Sequence, residues 1–510
     1  MLEGVELSAS RYVLAIDQGT TGTTALLLDG AGSVVRQASR EIAQIYPRPG
    51  WVEHDPEEIW GSCVAMIDEL LSSTPSALGR IEAIGITNQR ETAIVWDRQT
   101  GIPVANAVVW QCRRTAPLCE AMKRGGLTDT VRAKTGLPID AYFSATKIRW
   151  ILDSIPSGQR RAEGGGLLFG TVDSWLLWKL TGGAVHATDV TNASRTMLYN
   201  IDTLSWDQEL LGELDIPLAL LPEVRTSSEV YGHAADELFE GRAVPISGVA
   251  GDQHAALFGQ ACYRPGMVKN TYGTGSFVLM NTGGRRVSSG AGLISTIAWG
   301  IGDEVTYALE GSIFATGATV QWLRDGLGLI GEASEIDGLA GSVPGNGGVY
   351  LVPAFTGLGA PHWDMNARGT IVGITRGTGR GHIARSALES SAYQTRDVIE
   401  AMVADTGLPI PLLRVDGGGT ASDVMMQFQA DILDTPIERC AVPETTALGA
   451  GYLAGLAVGF WSDMDEIADH WRSNARFEPK MGHSERESLY GEWKRAVERA
   501  KGWVTGSEDR

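Results

Sequence analysis

Short apolar runs that end at glycine- and threonine-rich turns recur along this 510-residue chain. Residues 12–16 and 25–28 are apolar, and they flank the turn QGTTGTT at 18–24. This pattern predicts a β-hairpin, which residues 33–38 extend into an antiparallel meander. The turn exposes backbone N–H groups beside Asp17, so it can surround polyphosphate oxygens while Asp17 holds Mg²⁺ through water. An ordinary hairpin with a threonine-rich turn is the alternative.

The same pattern returns in the second half of the chain. Strand-like residues 267–272 and 276–280 flank Gly273-Thr274-Gly275, and residues 412–415 precede the turn DGGGT at 416–420. A helix is predicted to start near Ser422, where it could seat a nucleoside. We therefore expect a diverged duplication in which both halves face one cleft. Its boundary falls near residues 253–262, which gives an N-terminal domain of residues 1–254 and a C-terminal domain of residues 255–510.

Strand-like and helix-like segments alternate elsewhere, which is typical of an α/β fold. A helix is predicted at 56–71 with Asp55 as its N-cap, and strands are predicted at 81–87, 92–96 and 245–249. Residues 445–461 predict a buried helix whose glycines allow close packing. The charged tail from Ser484 predicts a surface helix.

The composition favours a soluble enzyme and argues against a protein that binds nucleic acid or membranes. Hydrophobic residues make up 43% and charged residues 20% of the chain, as in soluble globular enzymes. The formal net charge of −19 argues against a nucleic-acid or anionic-membrane surface. Residues 1–10 lack the pattern of a signal peptide, and no run predicts a membrane span. Five scattered cysteines without a CxxC pair suggest reduced thiols, so we expect a cytoplasmic protein.

Several side chains at predicted strand ends could carry chemistry. Asp252 follows the strand at 245–249 and could be a general base for a hydroxyl proton, or only a helix N-cap. Arg90 and Glu91 could bind a polyol, or form a solvated pair. Trp110 and Tyr142 could wall a small substrate, although aromatic residues more often lie in the core.

Other common sites are absent from the sequence. No Gly-Lys dipeptide occurs, which excludes a Walker A loop, and no histidine–cysteine pattern predicts a structural metal site. His54, which lies between two acidic residues, is predicted to be a loop residue.

At this point six motifs carry a family resemblance. They are IDQGTT at 16–21, PGWVEHDP at 49–56, GITNQRET at 85–92, WQCRRT at 110–115, FGTVD at 169–173 and NTYGTG at 270–275. With the longer patterns at 142–153 and 369–389, they show that the chain resembles the FGGY group of carbohydrate kinases over nearly its whole length. The order of so many motifs makes the resemblance specific.

The resemblance implies two actin/hexokinase-like (ribonuclease H-like) domains around an ATP cleft. It also implies transfer of the ATP γ-phosphoryl group to a terminal hydroxyl of glycerol, with Mg²⁺ positioned by Asp17 and Asp252 as general base. The implied glycerol-site residues are Arg90, Glu91, Trp110, Tyr142, Asp252, Gln253 and Phe277. The implied ATP-site residues are Thr20, Thr21, Gly22, Gly273, Thr274, Gly317, Gln321, Gly418, Gly419 and Ser422. We expect a homo-oligomer, either a dimer or a tetramer.

Some positions depart from the family pattern. Thr24 stands where some bacterial members have Arg, and Ser422 stands where many have Asn. Residues 234–242 are acidic where certain members bind fructose 1,6-bisphosphate, so we predict no such inhibition. Leu238 replaces a histidine that other members phosphorylate, and His233 is offset from it, so we expect no such switch.

Two other functions stay open at this point. One is a kinase of the same fold acting on another polyol or sugar, such as xylulose or gluconate. The other is a non-catalytic ATP switch of the actin or chaperone type. Arg90, Glu91 and Trp110 favour a small polyol, and Asp252 with the acceptor-pocket residues argues against the switch.

Overall fold

A computed structural model describes residues 11–505 as an α/β protein built on one 13-stranded mixed sheet. The α/β prediction is confirmed. From one edge to the other, the strands are Ser473–Phe477, Ile437–Cys440, Leu413–Asp416, Val268–Tyr272, Ser276–Gly283, Glu304–Ile313, Ile294–Ile301, Ser228–His233, Pro245–Gly251, Ile81–Asn88, Tyr12–Gln18, Gly22–Leu28 and Val34–Glu41. Residues 1–10, where the signal-peptide prediction applies, lie outside the described residues.

The predicted meander forms the edge of this sheet. Strand Tyr12–Gln18 pairs antiparallel with Gly22–Leu28, which pairs antiparallel with Val34–Glu41. The turn is shorter than predicted because Asp17 and Gln18 still pair with Thr24 and Thr23. Only residues 19–21 therefore connect the two strands.

Parallel pairing places three strand ends side by side. Strand Ile81–Asn88 runs parallel to Tyr12–Gln18, with Gln18 opposite Asn88. Strand Pro245–Gly251 runs parallel to Ile81–Asn88 on its other side, with Gly251 opposite Asn88. Ligand sites of open α/β sheets form at the carboxyl ends of such strands.

The second half repeats the hairpin. Strands Val268–Tyr272 and Ser276–Gly283 pair antiparallel around the predicted turn, and Leu413–Asp416 runs parallel to Val268–Tyr272. One bridge, between Ser228 and Ile301, joins the strands of the two halves into a continuous sheet. The domain boundary near 253–262 stays a prediction.

Helices cover both faces of the sheet. They span Pro56–Ser73, Ala116–Arg124, Thr128–Thr135, Ser144–Ser154, Gly158–Glu163, Val172–Leu180, Val190–Ala193, Gln208–Glu213, Asp252–Gly259, Gly317–Gln321, Ile336–Gly341, Arg380–Thr406, Asp423–Leu433, Thr445–Ala457, Met464–His470 and His483–Ala500. Asp55 caps the first of them, as predicted, by accepting a hydrogen bond from the backbone N–H of Glu57 at 2.9 Å. No helix in the described part of the chain combines the length and the apolar character that crossing a bilayer requires.

Helix Thr445–Ala457 is buried, as its small residues predict, although it ends four residues earlier than expected. It belongs to the second half but packs on strands of the first half. Gly85 faces the backbone of Ala450, and Gly451 packs against Leu28. The close approach requires glycine because a Cβ at Gly85 would overlap the Ala450 carbonyl.

Three predictions of local structure need correction. The strand at 92–96 is Ile94–Asp97, and it pairs with Leu167–Gly170 outside the large sheet. His54 lies in strand Glu53–His54, fully buried, so its prediction as a loop residue is wrong. Its ring hydrogen-bonds Gln44 and Gln89, two partners distant in sequence. The C-terminal helix is only partly exposed, because Tyr490 and Trp493 pack into the core.

Candidate active site

The three adjacent strand ends bring the predicted catalytic side chains together. Asp17 lies near the end of the first strand, Arg90 and Glu91 follow the second, and Asp252 follows the third. Asp252 is the first residue of helix Asp252–Gly259, whose N-cap is Gly251. The Asp252 side chain is 28% exposed, whereas Arg90 and Glu91 are buried. The alternative of a solvated Arg90–Glu91 pair is therefore wrong.

Arg90 connects the two halves of the chain. Its Nε lies 2.9 Å from Asp252 Oδ1, which fixes the orientation of that carboxylate. Its guanidinium carbon lies 5.8 Å from the centre of the Phe277 ring. Because Phe277 belongs to the hairpin of the second half, this cluster contains residues of both halves.

Glu91 holds an unusual backbone conformation. Its φ of 61° lies in the left-handed region, which residues other than glycine rarely adopt. The Glu91 carbonyl accepts hydrogen bonds from Ser144 Oγ at 3.1 Å and from Lys147 Nζ at 3.2 Å. Lys147 also donates to the Tyr142 carbonyl, so one buried ammonium group fixes the backbone of two predicted acceptor-site residues. Strain of this kind is typical of functional sites.

Two aromatic residues link the acceptor site to the first turn. The Trp110 and Tyr142 rings meet edge to face with centres 5.5 Å apart. Trp110 Nε1 donates a 2.8 Å hydrogen bond to Thr20 Oγ1. Both rings are half-buried rather than part of the closed core, which fits a wall of a small pocket.

Gln253 has a buried cationic partner. Lys269 Nζ donates to Gln253 Oε1 at 2.5 Å and to Thr271 Oγ1 at 2.9 Å. Burial lowers the pKa of Lys269 to about 8, and the carboxylates of Asp416 and Asp252 partly oppose that shift. This contact again joins the end of a first-half strand to the second-half hairpin.

Two charged residues that the sequence reasoning missed complete the cluster. Glu310 accepts from Arg90 Nη1 at 2.5 Å and from Arg195 Nη2 at 3.0 Å. Arg195 Nε donates to Glu91 Oε1 at 2.6 Å. Burial alone would raise the pKa of Glu310, but the two guanidinium groups hold it well below its usual range. The sequence signal was a lone acidic residue inside the apolar run of strand Glu304–Ile313.

The Gly273–Thr274 turn and Gly317 are in direct contact. Gly317 N donates to the Gly273 carbonyl at 3.0 Å, and Ala318 N donates to the Thr274 carbonyl at 2.9 Å. A Cβ at Gly317 would lie 2.6 Å from the Gly273 oxygen, so only glycine fits there. Gln321, at the end of the same short helix, is exposed.

The third turn lies beside the second because their strands pair in parallel. Gly417 has a φ of 85° and packs on the Tyr272 backbone, and Gly418 and Gly419 open a short 3₁₀ turn. Ser422 caps helix Asp423–Leu433 by accepting from Met425 N at 3.0 Å. Its hydroxyl donates to Asp337, so both of its hydrogen-bonding functions are in use within the protein.

The first turn is held by its neighbours. The Thr21 carbonyl accepts from Ile42 N at 3.0 Å, and a Cβ at Gly22 would lie 2.6 Å from the Arg40 carbonyl oxygen. The Thr24 hydroxyl pairs with the Ser39 hydroxyl at 3.0 Å. Thr24 therefore faces the neighbouring strand.

Asp17 has the electrostatics of a cation ligand. Its pKa is raised to about 7 by burial, with further contributions from Asp252 and Glu444. A divalent cation would relieve this crowding of negative charge. No group of three or more His, Cys, Asp or Glu side chains that could hold a metal exists among residues 11–505. The arrangement fits Mg²⁺, which is usually bound through one or two carboxylates together with substrate phosphates.

Comparison with known proteins shows the family of the chain. Residues 12–259 match the FGGY family of carbohydrate kinases, N-terminal domain, and residues 268–458 match the C-terminal domain of the same family. A glycerol kinase of Carboxydothermus hydrogenoformans is 60% identical over 493 residues, covering 97% of this chain and 99% of that protein. Glycerol kinase 2 of Thermotoga maritima has the same identity and coverage.

Solved structures show the same fold. Plasmodium falciparum glycerol kinase with ADP superposes with a TM-score of 0.91 at 38% identity, covering 96% of this chain and 98% of that one. Gluconate kinase of Lactobacillus acidophilus superposes with a TM-score of 0.86 at 23% identity, covering 96% and 98%. The second likeness shows the fold alone, and the predicted two-domain kinase fold is confirmed.

Proposed function

The chain belongs to the FGGY family of carbohydrate kinases, and from that premise we propose that it transfers the γ-phosphoryl group of ATP to glycerol. The product is sn-glycerol 3-phosphate, and Asp252 is the general base. Support comes from glycerol kinases that are 60% identical over nearly the whole chain.

The observation that carries the proposal is the exposure of Asp252 and its ion pair with Arg90. It is a partly exposed carboxylate in contact with an otherwise buried charged cluster, and Arg90 Nε holds it at 2.9 Å. A carboxylate fixed in this way can take a proton from a hydroxyl group at the mouth of the cluster. A positioned base of this kind contributes about 10²–10⁴-fold to a rate.

The neighbouring side chains suit a three-carbon polyol. Arg90 can donate to one hydroxyl, and Glu91 can accept from another. Trp110, Tyr142 and Phe277 offer aromatic faces to the C–H groups of the substrate. Because these groups are fixed by buried contacts, they hold the terminal hydroxyl toward Asp252 before phosphoryl transfer begins.

The turns serve the phosphate chain of ATP. Backbone N–H groups of Thr20, Thr21 and Thr274 can cradle phosphate oxygens from two sides, and the third turn can accommodate the nucleoside. Asp17 would hold Mg²⁺, which when bound neutralises charge on the phosphoryl oxygens. Closure of the halves around both substrates excludes water, which would otherwise compete as acceptor.

The test is a substrate panel under initial-rate conditions with ATP and Mg²⁺. We expect glycerol to give sn-glycerol 3-phosphate with a higher kcat/KM than xylulose or gluconate. An equal or better rate on either sugar would overturn the assignment of the acceptor. ADP release at the same rate without glycerol would indicate the non-catalytic switch instead.

We also propose a cytoplasmic homo-oligomer, either a dimer or a tetramer. The five cysteine thiols are unpaired and buried, which fits a reducing compartment. The oligomeric state is supported by the family resemblance alone. Light scattering of the purified protein tests it, and a monomer at assay concentration would contradict it.

A further inference from the structure

We propose that Glu310 and Arg195 are positioning residues of the acceptor site, which fix the side chains of Arg90 and Glu91 for glycerol binding. This inference rests on the proposed function, because it assigns a role to side chains that support the polyol ligands. Neither residue is predicted to touch glycerol. Each acts through a residue that does.

The contacts form one continuous series of ion pairs in which negative and positive side chains alternate. Asp252 pairs with Arg90 at 2.9 Å, Arg90 pairs with Glu310 at 2.5 Å, and Glu310 pairs with Arg195 at 3.0 Å. Arg195 then pairs with Glu91 at 2.6 Å. The first and last members of this series are acceptor-site carboxylates. The two interior members outside the acceptor site are Glu310 and Arg195.

Burial makes these contacts strong determinants of geometry. Glu310 and Arg195 are fully buried, and Arg90 and Glu91 are 2% and 1% exposed. A buried charge that loses its partner keeps its desolvation cost, so each member holds its neighbours in place. The planar guanidinium of Arg195 bridges two carboxylates, a geometry that an ammonium group cannot reproduce.

The position of Glu310 in the fold adds a second argument. It lies on strand Glu304–Ile313 of the second half, whereas Arg90, Glu91 and Arg195 belong to the first half. Glu310 pairs with Leu279, two residues after Phe277 on the neighbouring strand. The polyol ligands of the first half are thus fixed against the sheet that carries the Gly273–Thr274 turn.

The test measures KM for glycerol and for ATP separately in the full-length enzyme. Glu310→Gln preserves shape but removes the charge opposite Arg90 and Arg195. We expect KM for glycerol to rise about 10- to 100-fold, the range that loss of a charged hydrogen bond produces. KM for ATP should stay within about twofold, because the phosphate turns are built from backbone.

A second variant keeps the inference falsifiable if Glu310→Gln does not fold. Arg195→Lys retains the positive charge but loses the planar fork, so we expect KM for glycerol to rise about three- to tenfold with little loss of thermal stability. The matched control is Glu389→Gln. Glu389 is 4% exposed and accepts from Arg385 Nε at 2.6 Å, in contact with no acceptor-site residue that we name.

The outcomes separate the two proposals. If the wild type does not phosphorylate glycerol, the proposed function and this inference are both overturned. If the wild type phosphorylates glycerol and KM for glycerol is unchanged in whichever of Glu310→Gln and Arg195→Lys folds, only this inference is overturned. A rise in KM for glycerol in Glu389→Gln as large as in Glu310→Gln would show a general stability effect and would also overturn it.

Discussion

The site has an acceptor end, where glycerol is proposed to bind, and a nucleotide end, formed by the glycine-rich turns. Different interactions hold the two ends in place. At the acceptor end, Arg90, Glu91 and Asp252 are held by ion pairs, and their positions depend on side chains as distant in sequence as Glu310. At the nucleotide end, Gly317 and its neighbours approach backbone to backbone. The acceptor end therefore depends on charge, whereas the nucleotide end depends on the absence of a Cβ.

The largest expected effect lies at the acceptor end, in Asp252→Asn. The variant keeps the size of the side chain but cannot accept a proton, so kcat should fall about 10²–10⁴-fold. Glycerol and ATP should still bind, as calorimetry of the two ligands can show. Glu487→Gln, which removes a half-exposed carboxylate paired with the buried Arg396, is the control for a lost surface carboxylate. A near-normal kcat in Asp252→Asn would show that Asp252 is not the general base.

The next effect tests the nucleotide end through Gly317→Ala. The added Cβ would lie 2.6 Å from the Gly273 carbonyl oxygen, so the turn must shift. We expect KM for ATP to rise at least about tenfold, the cost of about 1.4 kcal/mol of lost binding. KM for glycerol should change little.

Gly338→Ala is the matched control for this variant, because the neighbouring helix Ile336–Gly341 leaves open space at that position. An unchanged KM for ATP in Gly317→Ala would mean that the nucleotide end tolerates a Cβ. The contrast between the two ends would then be lost.

A smaller effect concerns pH at Asp17, which lies between the two ends. Its pKa in the folded protein is about 7, above the ordinary value of 3.8, because of burial and then of Asp252 and Glu444. Its ionised fraction should rise roughly tenfold between pH 6 and 8, and the apparent affinity for Mg²⁺ should rise with it. Without metal, the folded state binds the extra proton, so stability falls as pH rises from about 4 to about 7.

The measurement is the Mg²⁺ dependence of the initial rate at pH 6, 7 and 8. Asp17→Asn has no carboxylate to titrate, so its Mg²⁺ dependence should be weak and nearly flat over this range. A wild-type Mg²⁺ affinity that is constant across the range would contradict the assignment of Asp17.

The smallest effect is expected at Ser422, whose hydroxyl is already engaged within the protein. Ser422→Ala removes a helix cap and should cost about 1 kcal/mol of unfolding free energy, measured by urea denaturation. Ser422→Asn keeps a capping side chain and should recover most of that loss. KM for ATP should change by less than about threefold in either variant. A tenfold rise would show that this hydroxyl serves the nucleotide rather than the fold.

The sequence predicted those features that depend on local patterns. Strand-like runs that lead into the turns at Gly19 and Gly273 predicted both hairpins, because a tight turn requires such residues whatever lies around it. The small residues of Thr445–Ala457 predicted a buried helix for a similar reason. The predicted acceptor residues lie together because three parallel strands end at one edge.

What the sequence did not predict depends on partners distant along the chain. Lys147 has no local pattern that separates it from a solvated charge, and the signal for Glu310 is only its place in an apolar run, yet both are fully buried. His54 stands between two acids in the sequence, but its ring contacts Gln44 and Gln89. Contacts with distant residues bury polar side chains that local sequence would place at the surface. A single sequence does not record such contacts.

Helix Thr445–Ala457 also has a consequence for how the protein is made. It covers strands that are synthesised first, including the one that contains Gly85, but it is itself more than 350 residues later in the chain. During translation, the apolar face around Ala15 and Leu28 therefore stays uncovered until residue 457 has left the ribosome. Nascent chains of this protein should need a chaperone over that interval, and a truncation before residue 445 should aggregate rather than fold.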